Sequence, residues 1–141
     1  MAPSDPVSPA ITARIIHAAL VLGVMLFWGV AWYIGPKTSI PVSAVPDRKV
    51  LYLGLFLVSA VLFGAAMYTA GRLTPPGPGT SQDAWWQANL SRVVGIWALV
   101  EMPAILGTIA YLVTDDFRTL IAPFTGLLLF VNYRPSRFAE R

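Results

Sequence analysis

Charged residues in this chain are separated by long intervals that carry none, and that spacing restricts the fold more than any motif does. From Arg14 the next charge is Lys37, and from Lys49 it is Arg72; each interval holds 22 residues. Between Arg92 and Asp115 there are again 22 residues, with Glu101 as the one charge among them. The interval from Arg118 to Arg134 is shorter, at 15 residues. A bilayer core of about 30 Å requires about 20 helical residues, so the first three intervals reach across. The fourth does so by using Thr119 at one end and Tyr133 with a snorkelling Arg134 at the other.

Composition agrees with this reading. Hydrophobic residues make up 56% of the chain and charged residues 12%, about half the charge of an ordinary soluble domain. The first apolar segment is longer than the core of a cleaved signal, and its end, Trp32-Tyr-Ile-Gly-Pro36, offers no small-x-small cleavage site, so it reads as a retained helix. The expected fold is an all-α integral membrane protein. It is a single domain, 1–141, of four transmembrane helices in an antiparallel bundle, near 10–35, 48–71, 88–113 and 118–133.

Local signals place the ends. Gly35-Pro36 closes the first helix. Asp47 caps the second. Ser81-Gln-Asp83 offers a cap for a short amphipathic lead-in to the third, whose Trp85 and Trp86 suit a membrane interface. The loop Leu73-Thr-Pro-Pro-Gly-Pro-Gly-Thr80 is an irregular connector. The connection after Thr114-Asp-Asp116 is so short that the third and fourth helices are expected to form a tight antiparallel hairpin.

Loop charges set the orientation. With the N-terminus cytoplasmic, Arg14, Arg72, Arg92, Arg134, Arg137 and Arg141 lie inside, against Lys37, Arg48, Lys49 and Arg118 outside. Six against four puts both termini on the cytoplasmic side of the cell inner membrane. The net charge of +3 is dispersed, with no basic run or basic helix face, which argues against nucleic-acid binding. Cysteine is absent, which removes thiolate chemistry and Cys-based metal or iron–sulfur sites. No metal and no cofactor is expected.

Glu101 is the strongest chemical signal. A carboxylate near the bilayer midplane costs about 2.5–3.5 kcal/mol to insert and marks a functional site by default. It lies about 13 Å beyond Arg92 along the helix. The same depth on the other helices falls near Gly23, Phe63/Gly64 and Thr125/Gly126, small residues that permit close approach, with Thr125 as a hydrogen-bond donor. No basic residue of this chain shares that depth, so Glu101 is expected to be uncharged at pH 7 and to face protein. Pro103, two residues on, removes a helix hydrogen bond to Leu99 and can kink the helix beside the site. Trp97, one turn before Glu101, is the one tryptophan away from a helix end. His17, with Ala13 at i−4, is a weak pigment-ligand candidate.

Two resemblances follow from these residues. Ala98-Leu-Val-Glu-Met-Pro-Ala-Ile-Leu-Gly107 resembles the carboxylate helix of the ring proteolipid (c subunit) of rotary ATP synthases over ten residues, which implies ion binding by Glu101. A ring is not implied, because no Gly-x-Gly-x-Gly run exists on another helix to pack identical neighbours. The Ala-x-x-x-His step is similar to the bacteriochlorophyll-binding segment of light-harvesting polypeptides, which implies a magnesium-ligating role for His17. The overall layout, with its Glu helix and Arg-Pro-Ser tail, resembles small four-helix bacterial membrane proteins.

No nucleophile–base pair, metal cluster or phosphate loop is present, so the chain is not expected to be an enzyme. Its expected role is that of a non-catalytic accessory subunit packing in a larger membrane complex, with the lipid bilayer and other membrane subunits as partners. The alternatives are a small proton- or ion-handling protein using Glu101, and a pigment-associated subunit of a photosynthetic complex using His17.

Overall fold

The computed structural model describes residues 7–35 and 47–139, which form helices and turns without a strand. Three helices are long and apolar enough to cross a membrane: α1 (Pro9–Ile34), α2 (Arg48–Gly71) and α3 (Gln82–Thr114). A shorter apolar segment follows, made of a 3-10 turn (Phe117–Leu120) continuing into α4 (Ile121–Asn132). Together these rise about 26 Å, so the fourth segment alone falls below span length. A single-turn helix, α5 (Pro135–Ala139), closes the described chain. Lys37 and Arg141, which enter the charge asymmetry, lie outside the described residues, as does the loop 38–46.

The start of α3 differs from the expectation of a separate lead-in ahead of residue 88. The helix is continuous from Gln82, with Ser81 Oγ accepting from the Ala84 N–H at 3.2 Å. Trp85 and Trp86 are buried in protein rather than set at a surface. Trp85 Nε1–H donates to the Thr74 carbonyl at 2.9 Å and pins the Pro/Gly loop to the helix. Asp83, in the same first turn, accepts from Ser8 Oγ and from the Ala10 N–H at 3.4 Å. One carboxylate therefore satisfies an orphan donor of α1 while favouring the N-terminal dipole of α3.

α3 is the hub. It packs against α1, α2 and α4, whereas α1 and α2 barely meet. α1 runs parallel to α3, as Ser8 meets Asp83 at one end and Gly35 meets Tyr111 at the other. α2 and α4 run the opposite way. Half of α3's most apolar window is buried, against 11% for α1 and for α2. Small residues make the tightest approach: Gly107 lies under Pro123, Thr119 and Ala122, and Gly126 lies against Val100 and Ala104. Gly23 and Gly64, placed by sequence at the same depth, are exposed with open space beside them. Of the three glycines placed at that depth, only Gly126, on the α3–α4 seam, is packed against another helix.

The hairpin between α3 and α4 is built from two aspartates. Asp115 takes the left-handed conformation (φ 52°), which short polar side chains tolerate, and its N–H returns to the Tyr111 carbonyl at 2.8 Å. Asp116 then caps the 3-10 turn by accepting from the Arg118 N–H at 2.9 Å, and it also accepts from Tyr52 O–H of α2 at 2.6 Å. These bonds hold its carboxyl below the usual carboxylate value of 3.8, the Tyr52 bond first and the Arg118 N–H second. A depressed folded-state pKa stabilises the fold above the unfolded value and loses that contribution as pH falls through the folded one. Thermal unfolding in mild detergent should therefore show a small loss of midpoint as pH drops below about 4. Asp116→Asn should start lower and lose less over the same range; equal slopes would remove Asp116 from the account.

Candidate functional site

Glu101 sits in the middle of α3, half-buried at the edge of that helix's packed arc. Val100, one residue before it, is fully buried against α4 at Gly126. One helical step is about 100°, which carries Glu101 out of the α3–α4 seam and onto the face of Trp97, its i−4 neighbour. Trp97 meets α1, its ring 5.0 Å from that of His17. Glu101 therefore lies on the flank of α3 turned toward α1. Among the described residues its carboxyl has no hydrogen bond and no ion pair.

Thr125 occupies a different flank. It lines a cleft between α4 and α2, facing Ser59 and Phe63, and no hydrogen bond joins it to Glu101. Pro103 is fully buried and stands inside an uninterrupted helix. The hydroxyls nearest in sequence beyond it are committed locally. Thr108 donates to the Ala104 carbonyl at 2.8 Å and Thr114 to the Ala110 carbonyl at 2.7 Å. No relay of free hydroxyls leads along α3 from the carboxylate.

One turn away lies a cluster that sequence reasoning did not assemble. α4 ends at Asn132, and its last carbonyls have no intrahelical partner. Two side chains from other helices take them. Trp97 Nε1–H donates to the Tyr133 carbonyl at 2.8 Å, and His17 Nε2 contacts the Phe130 carbonyl at 3.0 Å. A carbonyl only accepts, so Nε2 carries a hydrogen and is the donor in this contact. The rings pack edge to face, His17 on Trp97 and on Phe130 (5.7 Å), with Trp86 beyond at 6.5 Å. The sequence singled out both side chains, Trp97 as displaced from the helix ends and His17 as a pigment-ligand candidate, but gave no sign that they meet at the end of α4.

This geometry makes His17 a tie between α1 and the end of α4. His17→Phe keeps the edge-to-face stack and removes the donor, and should cost about 1 kcal/mol of stability. The cost should appear as a lowered unfolding midpoint in mild detergent; an unchanged midpoint would show that the Phe130 bond contributes nothing.

Among the described residues no three His, Asp or Glu side chains converge on one point, so none offers a metal cage. Comparison of the chain with protein-family models, with curated proteins and with solved structures returned no match.

Proposed function

We propose that the chain is a non-catalytic integral membrane subunit that packs in a larger membrane protein complex. The observation that carries this reading is Glu101: a carboxyl half-way along an apolar helix, on the flank of the bundle, with no partner among the described residues. A polar group in hydrocarbon is retained where another group meets it, and in this reading that group comes from another chain. The sparse burial of α1 and α2 supports the same reading, because both present long apolar faces to lipid or to neighbours. In this reading all four apolar segments cross the inner membrane in alternating directions, the short fourth one with help from its end residues. Both termini are then cytoplasmic.

The test is assembly. Glu101→Gln keeps the shape and hydrogen bonding of a neutral acid and should co-migrate with its partners in mild detergent as the wild type does. Glu101→Leu removes the hydrogen bond and should weaken the complex by about tenfold or more, the value of one bond to a buried polar group. If both variants migrate like the wild type, Glu101 is not the docking group. Ion handling by Glu101 instead requires that Glu101→Gln assemble and abolish transport. Pigment association through His17 requires visible absorbance in the purified chain. Reporter fusions at Arg141 and within Thr38–Pro46 should read opposite sides, with Arg141 inside.

A further inference from the structure

Because α2 and α4 each pack on α3 but scarcely on each other, a cleft of about 380 Å³ opens between them beside the α3–α4 hairpin. Its walls are apolar, formed chiefly by Leu55, Phe56 and Phe63 of α2 and by Ile121 and Ala122. Four hydroxyls interrupt that lining; Tyr52 and Thr119 donate to Asp116, which leaves Ser59 on one wall and Thr125 on the other. Ser59 is 8% exposed and its Oγ has no hydrogen-bond partner. Buried helical hydroxyls usually bond the carbonyl four residues back, as Thr108 and Thr114 do here. Ser59 does not, and among the described residues Thr125 has no bond either. Counted from Tyr52 and from Arg118 at the mouth, both hydroxyls lie about 10–12 Å down the cleft, at a common depth. Both side chains lean back toward the mouth, because both helices start there.

The mouth is cationic. Arg118 lines it and Arg48 stands beside it, both close enough to act on the Tyr52–Asp116 pair. Arg48 Nε is buried without a partner. The one carboxylate between them, Asp116, already accepts from Tyr52 and from the Arg118 N–H. Asp47 and Asp115 adjoin these residues in the chain, but at Tyr52 the acting charges are the two guanidinium groups and the one occupied carboxylate of Asp116.

We propose that this cleft binds one anionic phospholipid. Its phosphate lies on Arg48 and Arg118, a glycerol-ester carbonyl accepts from Ser59 and Thr125, and one acyl chain runs down the apolar wall past Phe63. A polar layer of cations above two hydroxyls above a hydrocarbon slot follows the order of groups along such a lipid, and the charge selects an anionic headgroup.

Native mass spectrometry of the full chain in mild detergent, titrated with phosphatidylglycerol or with phosphatidylcholine of the same acyl chains, tests this. Wild type should retain one phosphatidylglycerol with clear preference over phosphatidylcholine. Arg48→Gln and Arg118→Gln should each reduce that preference about fivefold, while Arg118→Lys should keep it. Ser59→Ala with Thr125→Val should weaken both lipids alike. Ala60→Trp, at an exposed cleft position, should remove the bound lipid with helix content unchanged. Equal retention of the two lipids, or a preference untouched by the arginine variants, would overturn the proposal. So would lipid retained by Ala60→Trp, or a photocrosslink from Ala60 to another protein chain in place of lipid.

Discussion

Replacing Trp97 by alanine should be among the most damaging single changes in this chain. Trp97 is fully buried, its ring touches His17 and Trp86, and its N–H closes the end of α4 on the Tyr133 carbonyl. Large aromatic deletions in packed interiors cost about 3–5 kcal/mol. Lipid is as apolar as a side chain, so the loss here comes from the cavity and the orphaned carbonyl more than from transfer to water. We therefore expect the lower part of that range. Trp97→Phe keeps most of the volume and loses the donor, for about 1 kcal/mol. Unfolding midpoints in mild detergent should rank wild type, then Trp97→Phe, then Trp97→Ala. A Trp97→Phe midpoint as low as that of Trp97→Ala would mean that the hydrogen bond, not the packing, holds α4 in place.

Gly107→Ala should be the second large effect, and it has an internal control. A Cβ at position 107 would sit 2.6 Å from Pro123 Cδ, 2.7 Å from the Thr119 carbonyl oxygen and 2.8 Å from Ala122 Cβ. None of these is the free end of a flexible side chain, so α4 must move away from α3. Overpacking of this kind costs about 1–3 kcal/mol. Gly95, on the same helix, has nothing within 4 Å of an added Cβ. Gly95→Ala should be neutral or should gain up to about 1 kcal/mol from better helix propensity. Gly126→Ala falls between, with contacts at 3.0 Å to Ala104 Cβ and 3.3 Å to the Val100 carbonyl oxygen. If Gly107→Ala unfolds no earlier than Gly95→Ala, the α3–α4 seam is looser than described.

What was legible in the sequence follows from the same physics. Charge-free intervals locate α1, α2 and α3, since burying an unpaired charge in hydrocarbon is costly, and Asp47 and Ser81 announce two helix starts through their capping chemistry. The partner of each helix was not legible. Faces turned to lipid and faces turned to protein are both apolar, so periodicity does not distinguish them. That is why Gly23 and Gly64 read like Gly126, although only Gly126 is packed. Trp85 and Trp86 read as interface anchors for the same reason, and are in fact interior. The candidate site was half legible. Glu101 announces itself as a lone charge, but the placement of Thr125 on another flank depends on which side of α3 each neighbour takes. The carbonyls that receive His17 and Trp97 are backbone groups at a helix end, and no residue identity marks them.

Under the proposed function, Glu101 faces a group supplied by another membrane protein. Ile105 lies one turn beyond Glu101 on the same face of α3 and is half-buried, which makes it the position for a photocrosslinking amino acid. Illumination of intact membranes should then yield one discrete protein adduct, present with Glu101→Gln and lost with Glu101→Leu. Adducts to lipid alone, or a chain that runs by itself in mild detergent whatever stands at position 101, would contradict the account.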